Sequence, residues 1–501
     1  MKPLSQSHLQ RWNLFNQFSR PVFFCVFLLV VSSEVIESQF IVKTLPGFVG
    51  DLPFTLETGY IGIGESDDVQ WIYYFVESEG NPENDPLMLW LTAGPGCSGL
   101  STLVSEIGPV IFNNANSTVE KPMLEMNSNR WTQVANILYV DQPAGTGFSY
   151  ATTPKAYKTN DTLSAMQVYQ FLKKWLVDHP KFLNNPFFLG GDSYNGILVP
   201  MILQEIYNGN EVGEETQINI KGYILGNPLT DIRGDYNSRI PFAHNVALLS
   251  DEIYESTKQN CHGEYLNVNP NNSLCMQDLQ VVDKCLERIN KEYILDPLCD
   301  TSNTLKNSHL FKRVLKSLDN TSMTNWLLPR VQRQRCRVYH EDNPLINIWA
   351  NRKDVREALH IPEEYDGIKW VKCNESLTFD YGKEAISYTN NVPSTVVYHK
   401  HLTYKNCRAL IFSGDHDMLV SHLGTVNWIE SLNLLVVNYW RPWYLDNQVA
   451  GYTMKYSTRD YNLTFATVKG GGHIVRLYKP KQCSRMFMRW LVDDPLYIFT
   501  S

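Results

Sequence analysis

Phe188-Leu189-Gly190-Gly191-Asp192-Ser193-Tyr194-Asn195-Gly196 joins an apolar strand to a small-residue turn that carries one serine, and an apolar helical stretch (Ile197, Leu198, Val199, Met201, Ile202) comes directly after it. A strand that stops and turns sharply into a helix holds such a hydroxyl clear of its own backbone. Ser193 is therefore a candidate nucleophile. The flanking glycines fit a turn with no room for a side chain. The last glycine falls one position later than in the usual G-x-S-x-G run, with Asn195 in its place, so the motif alone also fits a plain strand-to-helix turn.

The far end of the chain supplies context. Ala409-Leu410-Ile411-Phe412-Ser413-Gly414-Asp415 reads as a buried strand ending in an acid, and Lys469-Gly470-Gly471-Gly472-His473 comes later. The order Ser, Asp, His is one in which nucleophilic triads occur, with acid and histidine each on a loop after a core strand. The expectation is that Ser193 attacks, His473 takes and returns its proton, and Asp415 fixes the imidazole tautomer. Singly, Asp415 also fits a turn acid and His473 a loop histidine; together they favour catalysis.

Near the start, Arg11 and Arg20 precede the apolar run Val22–Val31, which is short of the ~20 residues a membrane span needs. This is the pattern of a secretory signal over residues 1–38, with no stable membrane anchor. An oxidising route permits disulfides among the remaining cysteines. It also gives meaning to the N-x-S/T sequons at Asn116, Asn160, Asn271, Asn320, Asn374 and Asn462. Zinc fits poorly: there is no C-x-x-C pair and no matching histidine spacing, so no metal or cofactor is expected. A net charge of −8 lacks the basic footprint of a nucleic-acid binder.

Between signal and serine, strands are expected at Tyr60–Ile63, Gln70–Val76, Leu87–Leu91 and Ala135–Asp141. Leu87-Met88-Leu89-Trp90-Leu91 is apolar throughout, as suits a strand buried on both faces. It leads into Thr92-Ala93-Gly94-Pro95-Gly96-Cys97, where the Gly94 N–H, with the Tyr194 N–H, is expected to form an oxyanion hole. An amphipathic helix is read through Leu163, Met166, Tyr169, Phe171, Leu172 and Trp175. Alternating strands and helices imply a mostly parallel sheet covered on both sides. From Asp231 to Leu345 the pattern changes to charged, cysteine-bearing, helix-like segments without core strands, read as a cap inserted into a single domain of residues 39–501. Arg330–Arg337 is a basic run read as a solvated loop.

Along nearly the whole mature length the chain resembles plant serine carboxypeptidase-like proteins. The landmarks are Leu89-Trp90-Leu91 before Gly94-Pro95-Gly96-Cys97, Gly147-Phe148-Ser149-Tyr150, Gly191-Asp192-Ser193-Tyr194, Gly414-Asp415 and Gly472-His473. The resemblance implies an α/β-hydrolase fold with an inserted, disulfide-bearing helical cap. It implies the pairs Cys97–Cys373, Cys261–Cys275 and Cys299–Cys336, leaving Cys285, Cys407 and Cys483 unpaired.

Peptidases of this family carry Asn-Gly-Gly-Pro-Gly and Gly-Glu-Ser-Tyr, where the asparagine, that glutamate and a second one matching Glu106 grip a peptide's C-terminal carboxylate. Here Thr92 replaces the asparagine and Asp192 the glutamate. With Asp141-Gln142-Pro143 and Lys469–His473, these departures resemble the acyltransferase branch, which uses 1-O-β-glucose esters as donors. The implied partners are a small-molecule acyl-glucose donor and an alcohol acceptor, with Thr92, Glu106 and Asp192 bonding sugar or acceptor, in the vacuole or outside the cell. A secreted carboxypeptidase and a non-catalytic binding relative are the other readings.

Overall fold

The computed structural model describes residues 39–298, 344–363, 367–374, 377 and 388–497, and the fold belongs to the compact unit Ile41–Ser501. The expected signal, the Cys299–Cys336 pair, Asn320 and the run at 330–337 lie outside the described residues. The central sheet contains β1 (Leu56–Ile63), β2 (Val69–Val76), β3 (Leu87–Leu91), β4 (Asn136–Val140), β5 (Phe187–Asp192), β6 (Ile220–Gly226), β7 (Arg408–Gly414), β8 (Leu435–Leu445), β9 (Gln448–Thr458) and β10 (Tyr461–Val468). These lie in the order β1-β2-β4-β3-β5-β6-β7-β10-β9-β8. From β4 through β10 neighbouring strands run parallel. The β1–β2 and β8–β9 hairpins add antiparallel ribbons at the flanks.

Successive side chains of a strand point to opposite faces, and here both faces are buried. Leu89, Leu91, Leu189, Tyr223, Leu225, Ala409 and Ile411 face one apolar cluster. Met88, Trp90, Phe188, Ile224, Leu410 and Phe412 face the other. Of the helices, α1 (Gly99–Ser105) covers the second face through Leu100 and Leu103. The first is covered by α2 (Asp161–Asp178) and α3 (Asn195–Glu211). Helix α2 departs from the expected stripe. Its buried residues include Ala165, Val168, Tyr169, Phe171, Leu172 and Trp175, while Leu163 and Met166 are exposed. The small residues Ser164 and Ala165 pack inward, and the aromatic spacing beyond them fixes the rotation.

Among the described residues, Asp231–Leu298 contributes no strand to the sheet. It forms α4 (Ile232–Asn237), α5 (Arg239–Asn245), α6 (Asp251–Cys261) and α7 (Ser273–Leu286). Cys261–Cys275 joins α6 to α7, and Cys97–Cys373 closes a long loop; Cys285, Cys407 and Cys483 are free. These helices and the turn between α5 and α6 carry a small apolar cluster of Ile240, Phe242, Leu249, Val282 and Leu286 that also takes in Met418, just beyond β7. No helix among the described residues is long and apolar enough to cross a membrane. No group of His, Cys, Asp and Glu there is arranged to hold a metal ion.

Two buried acids outside the sheet's edge hold loops together. The Asp141 carboxylate accepts from Ser98 Oγ (2.6 Å), the Gly99 N–H (2.7 Å), the Phe148 N–H (3.0 Å) and the Tyr74 hydroxyl (3.1 Å). Asp235 Oδ2 accepts from the Thr230 and Asp231 N–H groups, and its Oδ1 is buried without a partner. Burial pushes the Asp141 carboxyl up to about 6 and the Asp235 carboxyl up to about 7. Both lie above the ~3.9 of an unfolded aspartate, so folding takes up protons in this window. Their contribution to stability is complete below about pH 4 and is lost as pH rises through about 6 to 7. Thermal unfolding should therefore show a higher midpoint near pH 5 than near pH 8. Asp235→Asn, which keeps the acceptor for both N–H groups, should flatten that decline; an unchanged pH profile would remove Asp235 as its source.

Candidate active site

The register of the parallel strands brings their C-terminal ends to one edge. Gly191 pairs with Leu91, Asp192 with Gly226, Gly226 with Phe412 and Gly414 with Val468. The loops carrying Thr92, Ser193, Asn227, Asp417 and His473 all leave from that edge.

Ser193 has φ +53°, a left-handed conformation rare for a residue with a side chain. The surroundings hold it there: its N–H donates to Gly226 O (2.9 Å), and its carbonyl accepts from the Gly196 and Leu229 N–H groups. The flanking glycines are there for space. A Cβ on Gly191 would lie 2.6 Å from Asn195 Cβ, and one on Gly196 would lie 2.4 Å from Leu229 O. Asn195, out of place in the usual motif, is buried, and its Nδ2 donates to the carbonyls of Leu91 and Thr92 (both 2.9 Å) and Asp192 (3.2 Å). It fastens the serine turn to the loop after β3.

His473 Nε2 lies 2.8 Å from Ser193 Oγ, and His473 Nδ1 lies 2.8 Å from Asp417 Oδ2. A carboxylate can only accept, so the proton belongs on Nδ1 and Nε2 is left to accept from the serine. Asp417 is buried; its Oδ2 also accepts from Asn227 Nδ2 (2.7 Å), and its Oδ1 accepts from the Leu419 (2.7 Å) and Val420 (3.2 Å) N–H groups.

The structure thus corrects the expectation for Asp415, which does not reach His473. The Asp415 N–H still donates to Val468 O, so the chain has not yet turned away from the sheet at this residue. Its carboxylate accepts instead from the Gly470 N–H (2.6 Å) and lies 2.5 Å from His416 Nδ1, with 29% of its side chain exposed. The turn closes two residues later, where the Asp417 N–H reaches Gly414 O. Gly414 lets the acid and histidine loops meet: a Cβ there would lie 2.3 Å from Gly472 O.

A segment beyond α7 braces both loops. Lys291 O accepts from the Met418 and Leu419 N–H groups, and Glu292 O accepts from the His473 N–H (2.7 Å). The Tyr293 hydroxyl donates to Gly470 O (3.3 Å). Lys291–Tyr293 carries no recognisable signal in the sequence, because the bracing groups are mostly main chain.

The Gly94 and Tyr194 N–H groups make no hydrogen bond to a main-chain acceptor among the described residues. Tyr194 directs its side chain elsewhere, donating to Asp161 Oδ1 (2.5 Å), which leaves its N–H in the first turn before α3. The loop carrying Gly94 is tied down by Cys97–Cys373 and by the Ser98 N–H bonding Lys372 O.

Thr92, Glu106 and Asp192 are all buried, and none is a free surface group. Thr92 Oγ1 is hydrogen-bonded to Thr102 Oγ1 (2.8 Å). Glu106 and Asp192 meet on Arg476, which no motif in the sequence singles out. It lies three residues past His473, in a short helix α8 (Val475–Tyr478). Arg476 Nε and Nη2 both bind Glu106 Oε2, the former at 2.9 Å, and Nη2 binds Asp192 Oδ2 at 3.0 Å. Burial works against the Arg476 charge, yet Asp192 and Glu106 more than offset it and push its pKa up. Burial pushes the Asp192 carboxyl up, against the pull of Arg476.

Of the described sequons, Asn116 and Asn271 are exposed and Asn160 caps α2 through its Oδ1. Asn374 Nδ2 is bonded to Gly145 O, and Asn462 lies within β10.

Residues 46–493 match the family described as serine carboxypeptidase. Serine carboxypeptidase-like 17 of Arabidopsis thaliana is 45% identical over 469 residues, covering 94% of this chain and 97% of that protein. Serine carboxypeptidase-like 2 of the same plant is 43% identical over 482 residues, covering 96% and 99%. Among solved structures, a prohormone-processing carboxypeptidase of Saccharomyces cerevisiae shares the fold, with a TM-score of 0.69 at 20% identity over 93% of this chain and 97% of that one. The family match runs from before the Leu56–Ile63 strand to past the last helix, the plant relatives cover nearly all of the chain, and this chain belongs to the serine carboxypeptidase family.

Proposed function

We propose that this enzyme transfers an acyl group from a 1-O-β-glucose ester to an acceptor alcohol through an acyl-Ser193 intermediate. The observation that carries this choice over peptide hydrolysis is that neither Thr92 nor Asn195, the two side chains flanking the nucleophile's turn, offers a free side-chain amide donor. Thr92 stands where the family's peptidases have an asparagine, and its hydroxyl is engaged by Thr102. The neighbouring amide, Asn195, is fully engaged with main-chain carbonyls. A peptide carboxylate here would forgo hydrogen bonds of about 1.5–3 kcal/mol each.

In the mechanism, Ser193 Oγ attacks the ester carbonyl as its proton passes to His473 Nε2. Asp417 stabilises the imidazolium and keeps the ring oriented. The carbonyl oxygen becomes negative in the tetrahedral intermediate, facing the Gly94 and Tyr194 N–H groups; removing one such donor typically costs about 3 kcal/mol of barrier. The C–O bond to glucose then breaks, and the sugar oxygen leaves with the proton held on Nε2. An acceptor hydroxyl gives its proton to the same nitrogen and attacks the acyl carbon, and Ser193 regains its proton as the product ester departs. Water in the acceptor's place would make the enzyme a hydrolase. The outcome depends on how well the alcohol is positioned.

Purified protein should form an ester from an acyl glucose and an alcohol, and leave a blocked dipeptide intact at acidic pH; dipeptide cleavage without ester transfer would overturn the assignment in favour of a carboxypeptidase. Within the triad, Asp417→Asn should lower kcat about 10⁴-fold by favouring the wrong tautomer. Asp415→Asn should stay within roughly threefold of wild type, since Asp415 does not touch His473 and its partly exposed pair with His416 contributes little. The reverse ranking would restore Asp415 as the acid. Ser193→Ala should abolish acyl-enzyme formation by mass spectrometry while leaving the thermal midpoint near that of the wild type.

A further inference from the structure

Arg476 is a buried cation beside the nucleophile, and the triad mechanism has no use for it. It touches one oxygen of each acid, Glu106 Oε2 and Asp192 Oδ2, and its guanidinium lies over the Trp90 ring at 4.8 Å. Asp192 directly precedes Ser193 and is 1% exposed, yet its Oδ1 has no partner. The Tyr139 hydroxyl and Trp90 Nε1 are also buried without partners, and the Glu106 charge acts on Tyr139. Unpartnered buried polar atoms are uncommon, and several around one ion pair call for an explanation.

The charges decide which ligand fits. One guanidinium and two carboxylates sum to one negative charge, so an anion is disfavoured and a neutral hydroxyl donor is favoured. We propose that Arg476 is the specificity-determining residue of this site: by holding one oxygen each of Glu106 and Asp192, it keeps Asp192 Oδ1 as an acceptor for sugar hydroxyls and turns away a substrate carboxylate. This rests on the glucose-ester reading of the enzyme. Without the cation, two adjacent buried carboxyls would share a proton. The protonated one would become a donor, able to bind a carboxylate.

The groups acting on Asp192 are Glu106, beyond α1, and His473 and Arg476, on the last loop and α8. Tyr139 of β4 and Cys483 of the final helix, α9 (Pro480–Leu491), flank the Arg476–Glu106 pair. Arg476 holds the Asp192 carboxyl down, so removing it raises that carboxyl's pKa and the switch to a donor should emerge as pH falls.

The test titrates two probes against the whole protein, methyl β-D-glucoside for the sugar and N-acetyl-phenylalanine for a carboxylate, at about pH 5 and about pH 7. Wild type should bind the glucoside and exclude the carboxylate at both. Arg476→Gln should shift the ratio of the two affinities at least roughly tenfold towards the carboxylate at the lower pH, the scale of one charged hydrogen bond. Arg476→Lys, which keeps the charge, should retain the sugar preference. A folded Arg476→Gln protein with an unchanged ratio at both pH values overturns the proposal. So does a wild-type protein that binds the carboxylate as tightly as the glucoside, a result independent of whether the variant folds. If wild type prefers the glucoside but transfers acyl groups from no glucose ester, the acyltransferase function falls and the role of Arg476 stands. If transfer occurs but the ratio does not move, Arg476 falls alone.

Discussion

The parallel register at the centre of the sheet fixes everything chemical in this molecule. Because Gly191 lies beside Leu91 and Gly414 beside Val468, the strands end level, and the loops that leave them emerge within hydrogen-bonding reach. A slip of one residue would swap each strand's side chains between the two cores, so the same alternation that fills both cores also sets the position of the serine. Packing and catalysis share one constraint, and the glycines at the strand ends are its consequence. At Gly191, Gly196 and Gly414 a Cβ would meet another loop or helix at 2.6 Å or less.

Much of this was legible in the sequence. The fully apolar Leu87–Leu91 and the Phe188–Gly196 turn announce a two-sided sheet and an exposed serine, because local pattern decides both. His473 was legible for the same reason, as a loop histidine after a strand. Asp417 was not. The chain offers Asp415 and Asp417 two residues apart, and which of them faces the histidine depends on how far the ladder with β10 continues, a long-range property. Leu163 and Met166 misled in a related way: hydrophobic spacing fits several rotations of one helix, and the neighbouring strands choose among them.

Arg476 and the segment Lys291–Tyr293 were illegible for different reasons. Lys291 and Glu292 act through carbonyl oxygens, which any residue supplies, so no side chain betrays them. Arg476 sits in an apolar context, Ile474-Val475-Arg476-Leu477, where a lone arginine reads as surface. Only the fold shows that its partners Glu106 and Asp192 come from chain segments hundreds of residues away and that all three are buried.

The two buried aspartates nearest the serine differ in a way that separates their tasks. Both oxygens of Asp417 are occupied: by His473, by Asn227, and by the Leu419 and Val420 N–H groups. A carboxylate bound on all sides is held rigid, as orienting an imidazole requires. Asp192 is bound on one oxygen only, by Arg476, while the other meets no donor among the described residues. A half-satisfied buried carboxylate is unfavourable. On the proposed function, an arriving hydroxyl would recover that deficit, and Asp192 Oδ1 would favour a neutral, hydroxyl-bearing substrate next to the atom that attacks it. Asp417 suits the orienting role by being complete, and on the same proposal Asp192 would serve recognition by being incomplete.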